Sequence, residues 1–449
     1  MDYKLVKKIG NKIVHLQAKL LVYLVKIKAY NLAFMLPYSA LHELRFDKEK
    51  YLLCKNSLNI ESISRCISEK KIKLVYILYT GSMWSCQEMY EKFAEDERFS
   101  QTVVIVHKDG GNDFEYDETI KTLKTKNINV TGVDDGGKKI IKDADIIVYL
   151  YPYEVYPAFV DFPNLKLSKL IIYIPYGFHL ANIEGKYNNF MHINSWKFYA
   201  DTRAYKELMA KNCFVGDSHI FYVGYPKMDI FYSGRRLECK LWRPDSNKKQ
   251  VKIVYAPHYS VASDDSVKFA TFGDNYRLLL ELAKKYKEQT SWIVKPHPLL
   301  RKTAVKAGIF NSEKEYNEYL KEWINIGNVS VVESGTYMDI FETSDAMILD
   351  SISFLMEYQY VHKPLLLLGN NNQNFLEIGN ELMKVLYRCD GDDIESIESF
   401  IEEVVIRQKD KMKEDRENFF SEQIDYYKAN GYRTASEAIY DDIAAAFEQ

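Results

Sequence analysis

Short, continuously apolar runs alternating with helix-periodic stretches fill this chain after Pro37, and few folds accept that pattern. KLVYILY (73–79), TVVIVH (102–107), a short run at 129–133, DIIVYL (145–150) and KLIIYI (169–174) read as strands, with helices at 85–93 and 116–124 between them. Runs that are apolar at every position are buried on both faces, which is the signature of a parallel sheet covered by helices. A polar stretch at 233–250 then precedes a second series, with strands at 251–255, 291–294, 329–332, 346–349 and 364–368 and helices at 274–286, 315–323 and 354–360. The predicted fold is therefore α/β with two Rossmann-like domains. Residues 37–240 form the first, residues 241–425 the second, and residues 426–449 a C-terminal helix returning to the first.

Length agrees, because 449 residues exceed what one core usually holds. A formal net charge of −3 gives no basic surface for nucleic acid, so no nucleic-acid partner is expected. The six cysteines are scattered without a CxxC pair, which argues against both a disulfide framework and a metal site. No metal or cofactor is expected. No strand is followed by GxGxxG and no Walker A sequence occurs, which disfavours a standard NAD or P-loop site.

The first 36 residues are different in kind. Lys4, Lys7, Lys8, Lys12, Lys19, Lys26 and Lys28 face only Asp2, while Leu5, Ile9, Ile13, Leu16, Leu20, Leu24 and Ile27 recur at three- and four-residue spacing. That is one apolar stripe on a basic amphipathic helix. Such a helix lies on an anionic membrane surface; packing of the stripe on its own domain is the competing reading. Lys19, Lys26 and Lys28 break every window of about 20 apolar residues, so it does not span.

Three strand ends carry the chemistry. APHYS places His258 after the strand at 251–255, KPHP places Lys295 and His297 after the strand at 291–294, and LDSIS places Asp350, Ser351 and Ser353 after the strand at 346–349. In an open α/β sheet, ligands bind outside the carboxyl ends of the strands. Prolines hold both histidine loops in few conformations. Ser353 is placed to cap a helix from Phe354, whose N-terminus would favour an anion. Glu357 follows one turn later. A zinc site of His258, His297 and Asp350 is the weaker alternative, since no two of these ligands share a local spacing. In the first domain, Tyr176, Gly177 and His179 lie beyond the strand at 169–174, and the GYPKMD turn offers Lys227 and Asp229.

In order, the ILYTGSMWSCQEMYEKFAEDERF, ADIIVYLYPYEVYP, GYPKMD, YAP, KPHP and SDAMILDSISFLMEY segments resemble the bacterial CDP-glycerol glycerophosphotransferase family of teichoic-acid and capsule enzymes. The resemblance implies a GT-B architecture, two Rossmann-like domains facing across a cleft with the donor nucleotide on the second. It implies transfer of glycerol phosphate, or a related polyol phosphate, from a CDP-activated donor to a lipid-linked or oligosaccharide acceptor. It also implies a peripheral enzyme at the cytoplasmic face of the bacterial cell membrane. By motif match, Lys295, His297, Asp350, Ser351, Ser353 and Glu357 would serve the donor, and Tyr176, Gly177, Lys227 and Asp229 the acceptor side. Where the teichoic-acid enzymes carry WHG, this chain has Pro175, Tyr176 and Gly177, and after YAP it has His258 where they more often carry Thr. The base is thus sought at His179 or His258. Two other readings stay open: a GT-B enzyme working on a nucleotide sugar, as glycosyltransferase or epimerase, and a non-catalytic envelope-binding protein.

Overall fold

The computed structural model describes residues 48–68, 71–107, 113–152, 169–183, 190–213, 215–244, 249–262 and 268–448. The helix predicted over residues 1–36 lies outside them, as does the end of the ADIIVYLYPYEVYP segment (144–157). The described residues fall into two compact units. One runs up to Gly177 and adds Ile183–Asp229 and Tyr426–Gln449; the other is Phe178–Asn182 with Ile230–Asp425.

In the first unit, β1 (Ile72–Leu78), β2 (Phe99–Ile105), β3 (Val130–Gly132), β4 (Ile146–Tyr149), β5 (Leu170–Tyr173), β6 (Lys197–Ala200) and β7 (Ile220–Tyr222) form one sheet in the order β3-β2-β1-β4-β5-β6-β7. Every pairing is parallel. Alternate residues of each strand feed opposite faces, as the two-residue period of a strand requires. Val75, Ile77, Ile147 and Ile171 enter one apolar cluster; Leu74, Tyr76, Ile146 and Ile172 enter the other.

The second cluster is completed from the far end of the chain. Ile439 and Ile443 of helix Ala435–Ala445, and Phe447 just beyond it, are buried there, each side chain stabilising the contact by about 1.5–3 kcal/mol. Asp442 of the same helix accepts from Lys197 Nζ at 2.6 Å and Tyr199 Oη at 2.7 Å on β6.

The GYPKMD turn explains how that helix is anchored. Gly224 has φ +91°, and a Cβ on it would stand 2.1 Å from the Tyr426 ring; only glycine tolerates both the left-handed backbone and the close approach. Asp229 is completely buried. Its Oδ1 accepts from Ala435 N–H at 2.9 Å and Tyr426 Oη at 2.5 Å, and its Oδ2 from Ser436 N–H at 2.8 Å. Its carboxylate therefore meets N–H groups that the first turn of a helix cannot bond internally, beside a Thr434–Glu437 capping box. This corrects the acceptor-side expectation for Asp229, whose oxygens are committed to fold anchoring.

The second unit repeats the architecture. β8 (Val251–Ala256), β9 (Thr290–Val294), β10 (Val329–Val331), β11 (Ala346–Leu349), β12 (Leu365–Gly369) and β13 (Tyr387–Asp390) form a sheet in the order β10-β9-β8-β11-β12-β13, again wholly parallel. Helix Phe272–Lys285 packs Leu279, Leu280 and Ala283 on Ile253, Tyr255, Trp292 and Ile348. The segment after β5 belongs with this unit: Leu376 N–H donates to the Leu180 carbonyl at 2.7 Å, and Asn182 N–H to that of Asn374 at 3.1 Å. His179, read from sequence as a first-domain residue, is thus carried by the second unit.

Candidate active site

The second sheet reverses its winding between β8 and β11, since β9 and β10 extend to one side of β8 and β11 to β13 to the other. Crevices at such reversals, outside the carboxyl ends of the strands, are where open α/β sheets take ligands. The register puts Tyr255 beside Val294 and Ala256 beside Leu349, so the loops bearing His258, His297 and Asp350 leave three adjacent strands at one level.

Asp350 ties these loops together. Fully buried, it accepts the His258 N–H on Oδ1 at 2.5 Å and the Thr271 N–H on Oδ2 at 2.6 Å. Burial pushes its carboxyl up to about 6, opposed by the N–H groups of Thr271 and His258. With both oxygens engaged, Asp350 positions the loops, and ligation of a zinc ion loses its carboxylate. Among the described residues, no group of three or more His, Cys, Asp or Glu is arranged to hold a metal ion.

The two imidazoles lie with ring centroids 5.5 Å apart, and the Tyr259 ring is 4.4 Å from His258 and 4.6 Å from His297. His297 Nδ1 accepts the Leu299 N–H at 3.1 Å. His258 Nδ1 accepts the Ser260 N–H at 3.3 Å and lies 2.8 Å from Ser260 Oγ. A neutral imidazole has one lone pair and one N–H, so both rings carry their proton on Nε2. Burial, with His297 nearby, lowers His258 to about 3; burial, with Lys295 nearby, lowers His297 to about 4. The pair consists of neutral Nε2–H donors. With Nδ1 accepting and the proton on Nε2, His258 has no lone pair free for the role of base sought from the sequence.

Lys295 is buried with its ammonium 5.5 Å from the centre of the Tyr337 ring, and Tyr337 Oη donates to Glu357 at 2.7 Å. Ser351 is buried and accepts the Ser353 N–H at 3.3 Å. The capping role predicted for Ser353 is not realised: Ser353 is exposed, and the next helix has Met356 at its N-cap with no side-chain hydrogen bond. The predicted helix at 354–360 is a run of turns ending in the 3-10 helix Glu357–Val361, too short to present a helix N-terminus to an anion. Sequence reading missed Ser260, Thr271, Tyr259 and Tyr337. Ser260, two residues from His258, had a local signal in the tendency of Ser to bond nearby backbone; Thr271 and Tyr337 had none.

In the first unit, Tyr176 is partly exposed and its carbonyl accepts from Tyr225 Oη. Nothing lies within 4 Å of where a Gly177 Cβ would be. Lys227 is half-buried in the turn Pro226–Phe231.

The fold has solved counterparts. A structure of the wall teichoic acid polymerase TagF matches with a TM-score of 0.55 and 13% identity, over 88% of this chain and 96% of that one. Another structure of that polymerase, from a variant soaked with CDPG, matches with a TM-score of 0.52 and 12% identity, over 90% and 98%. UDP-GlcNAc 2-epimerase from Neisseria meningitidis, bound to UDP-GlcNAc, matches with a TM-score of 0.53 and 14% identity, over 83% and 100%. No curated protein sequence matches the chain significantly. Two doubly wound parallel sheets, matched over most of the chain by these structures, place the fold in the GT-B class. Residues 179–444 match the family model described as CDP-Glycerol:Poly(glycerophosphate) glycerophosphotransferase, and the chain belongs to that family.

Proposed function

We propose that the chain transfers glycerol phosphate from CDP-glycerol to a hydroxyl of a lipid-linked or saccharide acceptor in cell-envelope polymer synthesis. The observation that carries this reading is the pair of Nε2–H imidazoles, 5.5 Å apart, on adjacent strand ends at the switch point. Two neutral donors and the Lys295 ammonium suit a diphosphate, whose charge grows on the bridging oxygen as the bond to phosphorus breaks. The acceptor oxygen attacks the β-phosphorus, the bond from that phosphorus to the bridging oxygen breaks, and CMP leaves with the electron pair. With the nitrogens of His258 and His297 committed, His179 is the proposed base for the acceptor hydroxyl proton, and Tyr176, Gly177 and Lys227 the proposed acceptor side. Catalysis is then mainly positioning and charge stabilisation.

Incubation with CDP-glycerol and a polyol-phosphate acceptor should release CMP, and His297→Ala should abolish release while thermal unfolding stays cooperative. The reading assigns no metal to the transfer, so EDTA should leave the rate unchanged. Release of nucleotide from a UDP-sugar alone would select sugar transfer or epimerisation. No turnover of any cytidine or uridine donor would select the binding-protein reading. For the membrane, we propose that the basic stripe of residues 1–36 holds the enzyme peripherally on an anionic surface at the cytoplasmic face. Among the described residues, no helix is long and apolar enough to cross a membrane.

A further inference from the structure

We propose that Ser260 is a positioning residue of the donor site, its hydroxyl proton fixing His258 as the tautomer that presents Nε2–H to the donor phosphates. The inference rests on the donor-site reading above and adds a residue that the family motifs do not contain.

Three hydrogen bonds set the direction of the hydroxyl. Ser260 Oγ accepts the main-chain N–H of Phe269 at 3.0 Å and that of Ala270 at 3.2 Å. Those two donors fill its lone pairs, so the Oγ proton has to be donated elsewhere. His258 Nδ1 is 2.8 Å away. The same nitrogen also receives the Ser260 main-chain N–H at 3.3 Å, so a proton on Nδ1 would confront two others. Ser260 and His258 are both buried, at 4% and 2% exposure, and no competing water network is needed to satisfy the serine.

The serine also connects the imidazole to the Asp350 carboxylate by a second route. Residues 269 and 270, which donate to Ser260, directly precede Thr271, which donates to Asp350. The backbone and the side chain of His258 are therefore set by one loop, the former through Asp350 and the latter through Ser260. In metal sites, a partner on the second ring nitrogen fixes which nitrogen faces the ligand; here a serine does so for an anion.

The test uses the full chain labelled with 15N-histidine. Long-range 1H–15N spectra of the wild type should show His258 as a single Nε2–H tautomer. Ser260→Ala should give a mixture of tautomers and reduce kcat for CMP release roughly tenfold or more, and Ser260→Thr should restore both. A purely structural serine would lower thermal stability without moving the tautomer. If His258 is Nδ1–H in the wild type, or stays purely Nε2–H in Ser260→Ala, the proposal is wrong. Should the alanine variant fail to fold, the same spectra of Ser260→Gly, which keeps the main-chain N–H and lacks the hydroxyl, decide between the same outcomes. A tautomer shift in a protein that turns over no CDP-glycerol would uphold Ser260 and overturn the assigned reaction.

Discussion

The Asp350 carboxylate receives the main-chain N–H of His258 at 2.5 Å across 92 residues of sequence. Its other oxygen receives Thr271 N–H, so one buried side chain holds two loops of the site. Asp350→Ala removes both acceptors and strands two buried N–H groups, each costing about 1–3 kcal/mol. Relief of the carboxylate's burial offsets part of this. Urea denaturation should show a net loss of about 2 kcal/mol or more, together with loss of CMP release. An alanine variant as stable as wild type would remove Asp350 from this role.

Acid should weaken the fold through the same site. His258 titrates near 3 and His297 near 4 in the folded protein, against an ordinary value of 6.5. Between about pH 6.5 and 3 the unfolded chain binds protons that the folded chain does not, so stability is full above that window and falls as pH drops through it. Asp350, raised to about 6 from 3.8, acts oppositely, holding a proton in the folded state and softening the slope. Thermal melts of His297→Gln should decline less steeply with acid than wild type. Parallel slopes would contradict the neutral-imidazole assignment.

Gly224 offers a test of the anchoring turn. Gly224→Ala forces a methyl group to 2.1 Å from the Tyr426 ring at φ +91°, and a loss of roughly 3 kcal/mol or more is expected from the combined clash and strain. Tyr426→Ala in the same chain should recover part of the loss that Gly224→Ala inflicts. Strict additivity in a double-mutant cycle would show that the two positions are not in contact.

Removal of residues 1–36 should shift the protein from anionic vesicles into solution without changing CMP release from a soluble acceptor. Lysines near such a surface contribute about 1 kcal/mol each, so the intact chain should also be released by salt. Undiminished sedimentation of the shortened protein with vesicles would exclude the membrane role of this segment.

The sequence disclosed what burial made obvious. β11 is apolar throughout, and β8 and β9 are apolar over residues 253–256 and 292–294, because both faces are covered there, and their loops were therefore locatable to within a residue. β13 escaped notice because it alternates between half-buried and exposed positions, while β6 and β7 are only four and three residues long. Asp229 was misread for a different reason: its partners Ala435 and Ser436 lie 206 and 207 residues away, and a polar residue behind a proline looks the same whether it meets a ligand or a helix. The tautomers of His258 and His297 were illegible too, since the one depends on the Ser260 hydroxyl and the other on the Leu299 N–H, whose directions only the folded loops determine.

The Asp229 anchor also constrains the order of assembly. Translation delivers every strand of the first sheet, and then the entire second unit, before the ribosome makes the residues that Asp229 binds. Until then Asp229 lacks its helix and the apolar cluster that Ile439, Ile443 and Phe447 complete is unfinished. The unit that begins first is therefore the one whose last residues are synthesised last. A contiguous fragment ending at Asp229 is consequently not a domain in the folding sense, and dissecting this protein requires the last two dozen residues to be spliced back onto the first unit.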